Sequence, residues 1–399
     1  MRPVRLVAPA LCALLCTALA PAAAQTADTA AAVRWRVLAA QIGRRITEAR
    51  AAAPAAVAAR PDVASARPNI PGRNAVLMSV AMYLAADSAA ADPARPAPRA
   101  AVAAAAALVL KRFTEGTGPE AERHLAEDLA AARRAGASEA SVQAGVRVGR
   151  AAAERAMRWD ERRRAGAPWT GTVPVGAGMW RSAPGREPAL VVRLAESPLL
   201  LDSISQFRPP PPPAFGSPEF GAALDEVRRV ARERTAEQAR LAREWISRQP
   251  QELWDPIVAA ALVRGRASER DAARVYALMY AAANDANLAC TDAKYHYFAI
   301  RPTQADSTIA LVDSVPLPNH PSYPSGHACI SSASAEVAGY FLPAERGELR
   351  RLAEEAAMSR LWGSVHFRFD NETGLALGRR VAQYAIEEEA SGRLKARWR

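Results

Sequence analysis

The stretch PNHPSYPSGHA, Pro318–Ala328, holds two of the chain's five histidines, a Ser-Gly pair and three prolines. Each proline fixes φ and removes a backbone donor, so the segment is a stiff loop. The residues after it, CISSASAEVAGYF, are helix-forming, and Ser325 stands where an N-cap belongs, so the loop feeds a helix over 325–341. Gly326 lets the backbone approach a ligand closely, and the helix start offers free N–H groups and the positive end of its dipole to an anion. His327, in the first turn, is placed to act as acid or base on whatever is held there. Taken alone, the same motif, Pro324–His327, also reads as an ordinary helix cap with an incidental histidine.

Helical periodicity spreads outward in both directions. It predicts helices over 344–362 and 372–388 downstream, and over 220–248, 252–263 and 267–300 upstream. Before these, a Gly-, Pro- and Trp-rich segment from Ala165 ends in RPPPPPAFGSPEF; five consecutive prolines cannot be helical and make a stiff extended strap. Residues 25–164 are alanine and arginine at helical spacing, broken by Pro54, Pro61, Pro68 and Pro71 and again between Pro93 and Pro98. Half of the 399 residues are apolar but only 6% are aromatic, which favours helices over sheets. The expected fold is all-α: a helical bundle whose oxyanion site is formed by helix ends and loops of the C-terminal half. The expected divisions are a leader at 1–24, an N-terminal helical region at 25–164, the strap at 165–219 and a catalytic helical domain at 220–399.

Two more motifs carry chemistry. In KYHYFAIRP, Lys294 and Arg301 are seven residues apart, nearly two helical turns, so the spacing predicts both cations on one face before Pro302 stops the helix. Such a pair suits a multiply charged oxyanion, the guanidinium as a fork and the ammonium as a point charge. Lys294 is one of only three lysines, with Lys111 and Lys395, in an arginine-rich chain. In SRLWGSVHFRFD, Arg360 supplies another fork and His366 has Asp370 four residues on. Whether the segment is helical or Asp370 caps the next helix, the carboxylate can fix the imidazole tautomer and leave the other nitrogen free to attack or ligate.

The ordered set Lys-x6-Arg-Pro, Pro-Ser-Gly-His and Ser-Arg-x5-His-x3-Asp resembles the superfamily of type 2 phosphatidic acid phosphatases, bacterial class A acid phosphatases and vanadium-dependent haloperoxidases. Every element is present unaltered. The resemblance implies that Lys294, Arg301, Arg360, the Ser325 hydroxyl and the Gly326 N–H hold the non-reacting oxygens of phosphate or vanadate. As a phosphatase, the chain would use His366 as nucleophile, Asp370 to orient it and His327 to protonate the leaving alkoxide. As a haloperoxidase, it would carry vanadate as cofactor, with His366 as the axial ligand of the metal and His327 handling protons. His320 coincides with a histidine near the vanadate of algal bromoperoxidases, which implies a halide-tuning role; a loop histidine bonded to backbone is the alternative. The membrane lipid phosphatases embed these motifs among transmembrane spans, and the class A phosphatases are much shorter, so length and pattern point to the soluble bacterial haloperoxidase-like branch. The strap and the helix after it also resemble that branch. Ile300 departs from it, standing where many haloperoxidases have tryptophan.

The implied reactants are small molecules: halide and hydrogen peroxide, or a phosphomonoester. A non-catalytic phosphate-binding module is the third reading, though binding alone needs neither histidine. Net charge is +11, but no basic cluster is interleaved with aromatics as a nucleic-acid groove requires. MRPVRLVAPALCALLCTALAPAAAQ has the charged, apolar and small-residue order of a secretory signal peptide cleaved after Ala24, so the mature chain is expected to be exported, secreted or periplasmic, without a membrane span. Cys290 and Cys329 then remain, and in an oxidising compartment either a disulfide or two buried thiols fits them.

Overall fold

The computed structural model describes residues 29–52, 71–114, 116–162, 169–246 and 250–398. The expected leader, 1–24, lies outside the described residues. The fold is all-α, as expected. Among the described residues no strand forms; a single antiparallel bridge joins Met179 to Ala299.

Contacts divide the chain into two compact units, 1–157 with 252–276, and 158–251 with 277–399. The first unit contains α1 (Ala31–Ala52), α2 (Pro71–Ala91), α3 (Pro98–Phe113), α4 (Gly118–Arg134), most of α5 (Glu139–Arg162), α8 (Pro250–Arg264) and the first turns of α9 (Glu269–Tyr297). In α3, every residue from Ala100 to Ala106 is buried. With only methyl groups to pack, it is approached closely by α5: a Cβ at Gly149 would lie 2.2 Å from the Ala101 carbonyl oxygen. Among the described residues one window, Asn74–Ala91, is long and apolar enough to cross a membrane, and 78% of it is buried inside the protein.

The second unit contains the strap, α6 (Pro218–Glu233), α7 (Ala236–Ile246), the rest of α9, the one-turn α10 (Pro302–Ala305), α11 (Gly326–Phe341), α12 (Arg346–Trp362), α13 (Arg368–Ala390) and the short α14 (Arg393–Arg397). The single helix expected over 220–248 is two. Thr235 and Gln238 form a reciprocal capping box, Gln238 N–H to Thr235 Oγ1 at 3.1 Å and Thr235 N–H to Gln238 Oε1 at 2.9 Å, which starts α7 afresh. In the strap, Tyr297 and Tyr323 donate their hydroxyls to the Pro209 and Pro210 carbonyls at 2.6 and 2.7 Å, and Arg208 forks onto Asp292 at 2.7 and 2.8 Å.

The crossing of α11 and α13 positions the site. A Cβ at Gly374 would lie 2.6 Å from the Ser325 carbonyl oxygen, and one at Gly378 would lie 2.3 Å from that of Cys329. Two glycines one turn apart thus seat the start of α11 directly on the first turns of α13. Facing them are Ala328 and Ser332, also small.

Candidate active site

Three cations, Lys294, Arg301 and Arg360, are each at most 1% exposed, as are Ser325 and Asp370, with His366 at 2%. All belong to the second unit. Lys294 and Arg301 do not share a helical face, contrary to the expectation from their spacing. The helix stops at Tyr297, and Phe298 takes a left-handed φ of +48°, its N–H returning to the Lys294 carbonyl at 2.9 Å. The chain then bridges to the strap at Ala299 and brings Arg301 back in extended conformation, at the N-cap of α10.

The Lys294 ammonium has three donors, and all three are used on the proline loop: the carbonyls of Pro321 at 2.8 Å, Ser322 at 2.7 Å, and Pro324. Arg301 also organises the loop. Its Nε donates to the His320 carbonyl at 2.9 Å and its Nη1 to the Val365 carbonyl at 2.6 Å. Its Nη2 lies 3.0 Å from His320 Nδ1. The same Nδ1 lies 3.1 Å from the Pro321 carbonyl oxygen, so it accepts from Arg301 in one tautomer and donates to that carbonyl in the other.

Arg360 is different. Among the described residues it pairs with no carboxylate, and its Nε and Nη1 are buried without a hydrogen-bond partner. Burial and then the charge of Arg301 bring its pKa down from 12.5 to about 9. The Ser325 hydroxyl is also buried and unpartnered. Ser325 occupies the N-cap position of α11, but its side chain makes no capping bond, so its oxygen remains available beside the orphan N–H groups of the helix start. His327 donates through Nε2 to the Trp245 carbonyl at 3.0 Å, leaving Nδ1 as its free nitrogen.

The His366–Asp370 pair combines the two arrangements left open by the sequence. His366 precedes α13, and Asp370 in the first turn accepts from His366 Nδ1 at 2.9 Å and from the Phe367 N–H at 3.0 Å through the same oxygen, Oδ2. Nδ1 therefore carries the proton, and Nε2 presents its lone pair, 3.5 Å from Arg301 Nη1. The reversal before it is a Schellman turn: Ser364 N–H to the Leu361 carbonyl at 2.9 Å and Val365 N–H to the Arg360 carbonyl at 3.1 Å, with Ser364 at φ +59°.

Charge dominates the site. Among the described residues, Asp370 is the one carboxylate acting on Lys294 and Arg301, and none acts on Arg360. Burial first, then the neighbouring cations, hold His320, His327 and His366 well below the ordinary imidazole value, so all three are neutral. Burial lifts Asp370 to about 6 against the bonds and cations that lower it, the Ser322 hydroxyl foremost. Three buried cations against one carboxylate is a costly arrangement unless a polyanion completes it.

Several contributors escaped sequence reasoning. Ser322 donates to Asp370 Oδ2 at 2.6 Å, a bond across 48 residues with no local signal. The Trp245 carbonyl holds His327 across 82 residues. Of the two arrangements the sequence left open for Cys290 and Cys329, the structure shows free, buried thiols, with Cys290 Sγ donating to the Pro324 carbonyl at 3.5 Å.

Residues 272–387 match the family model described as PAP2 superfamily. The fold is similar to that of the first bacterial vanadium-dependent iodoperoxidase, at 22% identity over 80% of this chain and 91% of that one, with a TM-score of 0.65. It is also similar to a bacterial vanadium-dependent chloroperoxidase in its apo form, at 16% identity over 83% of this chain and 94% of that one (TM-score 0.61). For the holo form the figures are 15% identity, 88% and 98% coverage, and a TM-score of 0.59. No curated protein matches the chain in sequence. At these identities the likeness to solved structures is one of fold. All three motifs lie within the segment that matches the PAP2 superfamily model.

Proposed function

We propose that this chain is an exported, vanadium-dependent haloperoxidase-like enzyme that holds vanadate and oxidises halide with hydrogen peroxide. The observation that carries it is the buried excess of positive charge around orphaned donors, Arg360 Nε and Nη1 and Ser325 Oγ. An oxyanion supplies the acceptors that these groups lack. Fold likeness to haloperoxidases over 80–88% of the chain supports the choice of reaction.

The donor set fits vanadate. Arg360, Ser325 and the N–H groups of Gly326 and His327 would hold its oxygens, and His366 Nε2 would supply a nitrogen ligand. When bound, vanadate would supply the Lewis-acidic centre at which halide is oxidised. The remaining chemistry belongs to the chain. Asp370 keeps the His366 proton on Nδ1, so Nε2 stays a donor of its lone pair. His327, tied by Nε2 to Trp245, takes and returns a proton at Nδ1. Lys294 and Arg301 hold the proline loop by its carbonyls and add field. His320, held beside Arg301, would be the halide-tuning group. In this reading Lys294 acts through the loop before it acts on the oxyanion.

A phosphomonoesterase is the second reading. Ile300 favours it, being packed in an apolar cluster with Phe220 and Phe367 where many haloperoxidases have tryptophan. Here His366 Nε2 attacks phosphorus to form a phosphohistidine as the ester P–O bond breaks; the bound phosphate dianion would let His327 first take up a solvent proton at Nδ1, which it then gives to the leaving ester oxygen. Water on the opposite side then releases phosphate and free imidazole. The test is paired: purified mature chain loaded with orthovanadate and assayed with bromide or iodide plus hydrogen peroxide, and metal-free chain assayed with p-nitrophenyl phosphate. Halide oxidation supports the peroxidase, and ester hydrolysis without it supports the phosphatase. Tight phosphate binding with neither reaction leaves the binding module.

A further inference from the structure

Ser322 has no place in the three motifs, yet it bonds into two of them, the first and the third. It is fully buried in the proline loop. Its N–H donates to the Ala299 carbonyl at 2.9 Å, in the segment between Lys294 and Arg301. Its carbonyl accepts from Lys294 Nζ at 2.7 Å. Its hydroxyl lies 2.6 Å from Asp370 Oδ2 and 3.5 Å from His366 Nδ1. The Ser-Gly-His step follows three residues later on the same loop.

The directions of these bonds are fixed by chemistry. An ionised carboxylate only accepts, so the Ser322 hydroxyl donates to Asp370. Oδ2 then receives three donors: the Ser322 hydroxyl, His366 Nδ1–H and the Phe367 N–H. Oδ1 is buried with none. Rotation of the carboxyl about its Cβ–Cγ bond out of this orientation would stretch all three bonds at once. The hydroxyl is the one side-chain donor besides His366 that opposes this, and it is anchored through its own backbone at both N–H and carbonyl.

We propose that Ser322 is a positioning residue that acts through Asp370 to hold His366 in its Nδ1–H tautomer, with the Nε2 lone pair directed at the oxyanion. The proposal rests on the reading of His366 as the group that meets the oxyanion. It assigns to Ser322 the coupling of the cation-bearing segment to the imidazole: the carbonyl is held by Lys294 and the hydroxyl holds Asp370.

The test uses the full mature chain, free of vanadate, labelled with 15N-histidine. The chain has five histidines, so a His366→Asn variant identifies the ring resonances of position 366. In the wild type, position 366 shows a single Nδ1–H tautomer with a slowly exchanging ring proton. In Ser322→Ala, the tautomers mix or the proton exchanges at least about tenfold faster, and Ser322→Thr restores the wild-type pattern. In whichever of the paired assays the wild type is active, Ser322→Ala lowers kcat by about 10–100-fold with KM within about twofold. An unchanged tautomer and exchange rate in a folded Ser322→Ala protein overturns the proposal, as does a wild type lacking the Nδ1–H form. If the threonine variant fails to fold, the alanine comparison decides alone. The resonance measurement needs no turnover, so an inactive wild type counts against the proposed function while leaving the Ser322 result readable.

Discussion

Replacing Arg360 with methionine should move affinity and stability in opposite directions. The guanidinium is fully buried, meets no carboxylate and leaves Nε and Nη1 without partners. Holding it charged brings its pKa from 12.5 to about 9, which corresponds to an energetic cost on the order of 5 kcal/mol in the ligand-free protein. Methionine fills much of the volume without the charge, so ligand-free Arg360→Met is expected to melt no lower than the wild type. With an oxyanion bound, the same guanidinium makes two charge-assisted hydrogen bonds. Their loss should cost about 3 kcal/mol, or about 100-fold in the Kd for phosphate or orthovanadate. At a ligand concentration about 100 times the wild-type Kd, ligand stabilises the wild type by about 2.7 kcal/mol and the variant by about 0.4 kcal/mol. Isothermal titration and thermal melts with and without ligand measure both quantities. A variant that melts well below the wild type without ligand, yet keeps its phosphate affinity, would refute the assignment of Arg360 to the oxyanion.

Three other outcomes are expected. Gly378→Val places a side chain where a Cβ alone lies 2.3 Å from the Cys329 carbonyl oxygen and 2.8 Å from Ser332 Cβ, so α11 and α13 must part. A loss of about 3 kcal/mol in denaturant unfolding, together with lost oxyanion binding, is the expected result. His327→Gln should leave phosphate affinity within about threefold while turnover falls about 10²–10⁴-fold, as titration and steady-state kinetics will show. Glu269, 3.0 Å from Arg99 in the first unit, is pushed up from 4.5 to about 7, chiefly by burial. Because the folded state binds this proton more tightly, its contribution to stability is full below pH 4.5 and is lost as pH rises through 7. Glu269→Gln should remove that slope, on the order of 3 kcal/mol between pH 4 and 8 in urea titrations, and parallel pH profiles would refute it.

Much of the fold was legible because helix formation is local. Alanine-rich periodicity and the proline breaks marked most helices of both units, and the five prolines marked the strap. Where a local signal was passed over, as with the Thr235–Gln238 box, the break between α6 and α7 was lost with it. The motifs likewise identified Lys294, Arg301, Ser325, Gly326, His327, Arg360, His366 and Asp370 by residue type and spacing, and the structure gathers them in one unit.

Sequence by itself determined the chemical inventory: which cations, which imidazoles, and which carboxylate could fix a tautomer four residues away. Tertiary structure decided how that inventory is used. Only the folded chain separates Arg360, with its orphaned donors, from Lys294, whose ammonium is consumed by loop carbonyls. Only there does Ser325 occupy a cap position without capping, and only there does Ser322 reach Asp370. The reason is range: propensity and capping act within a few residues, whereas burial of charge and the pairing of distant donors depend on which helices pack, set here by glycines at 374 and 378 that admit no side chain between α11 and α13.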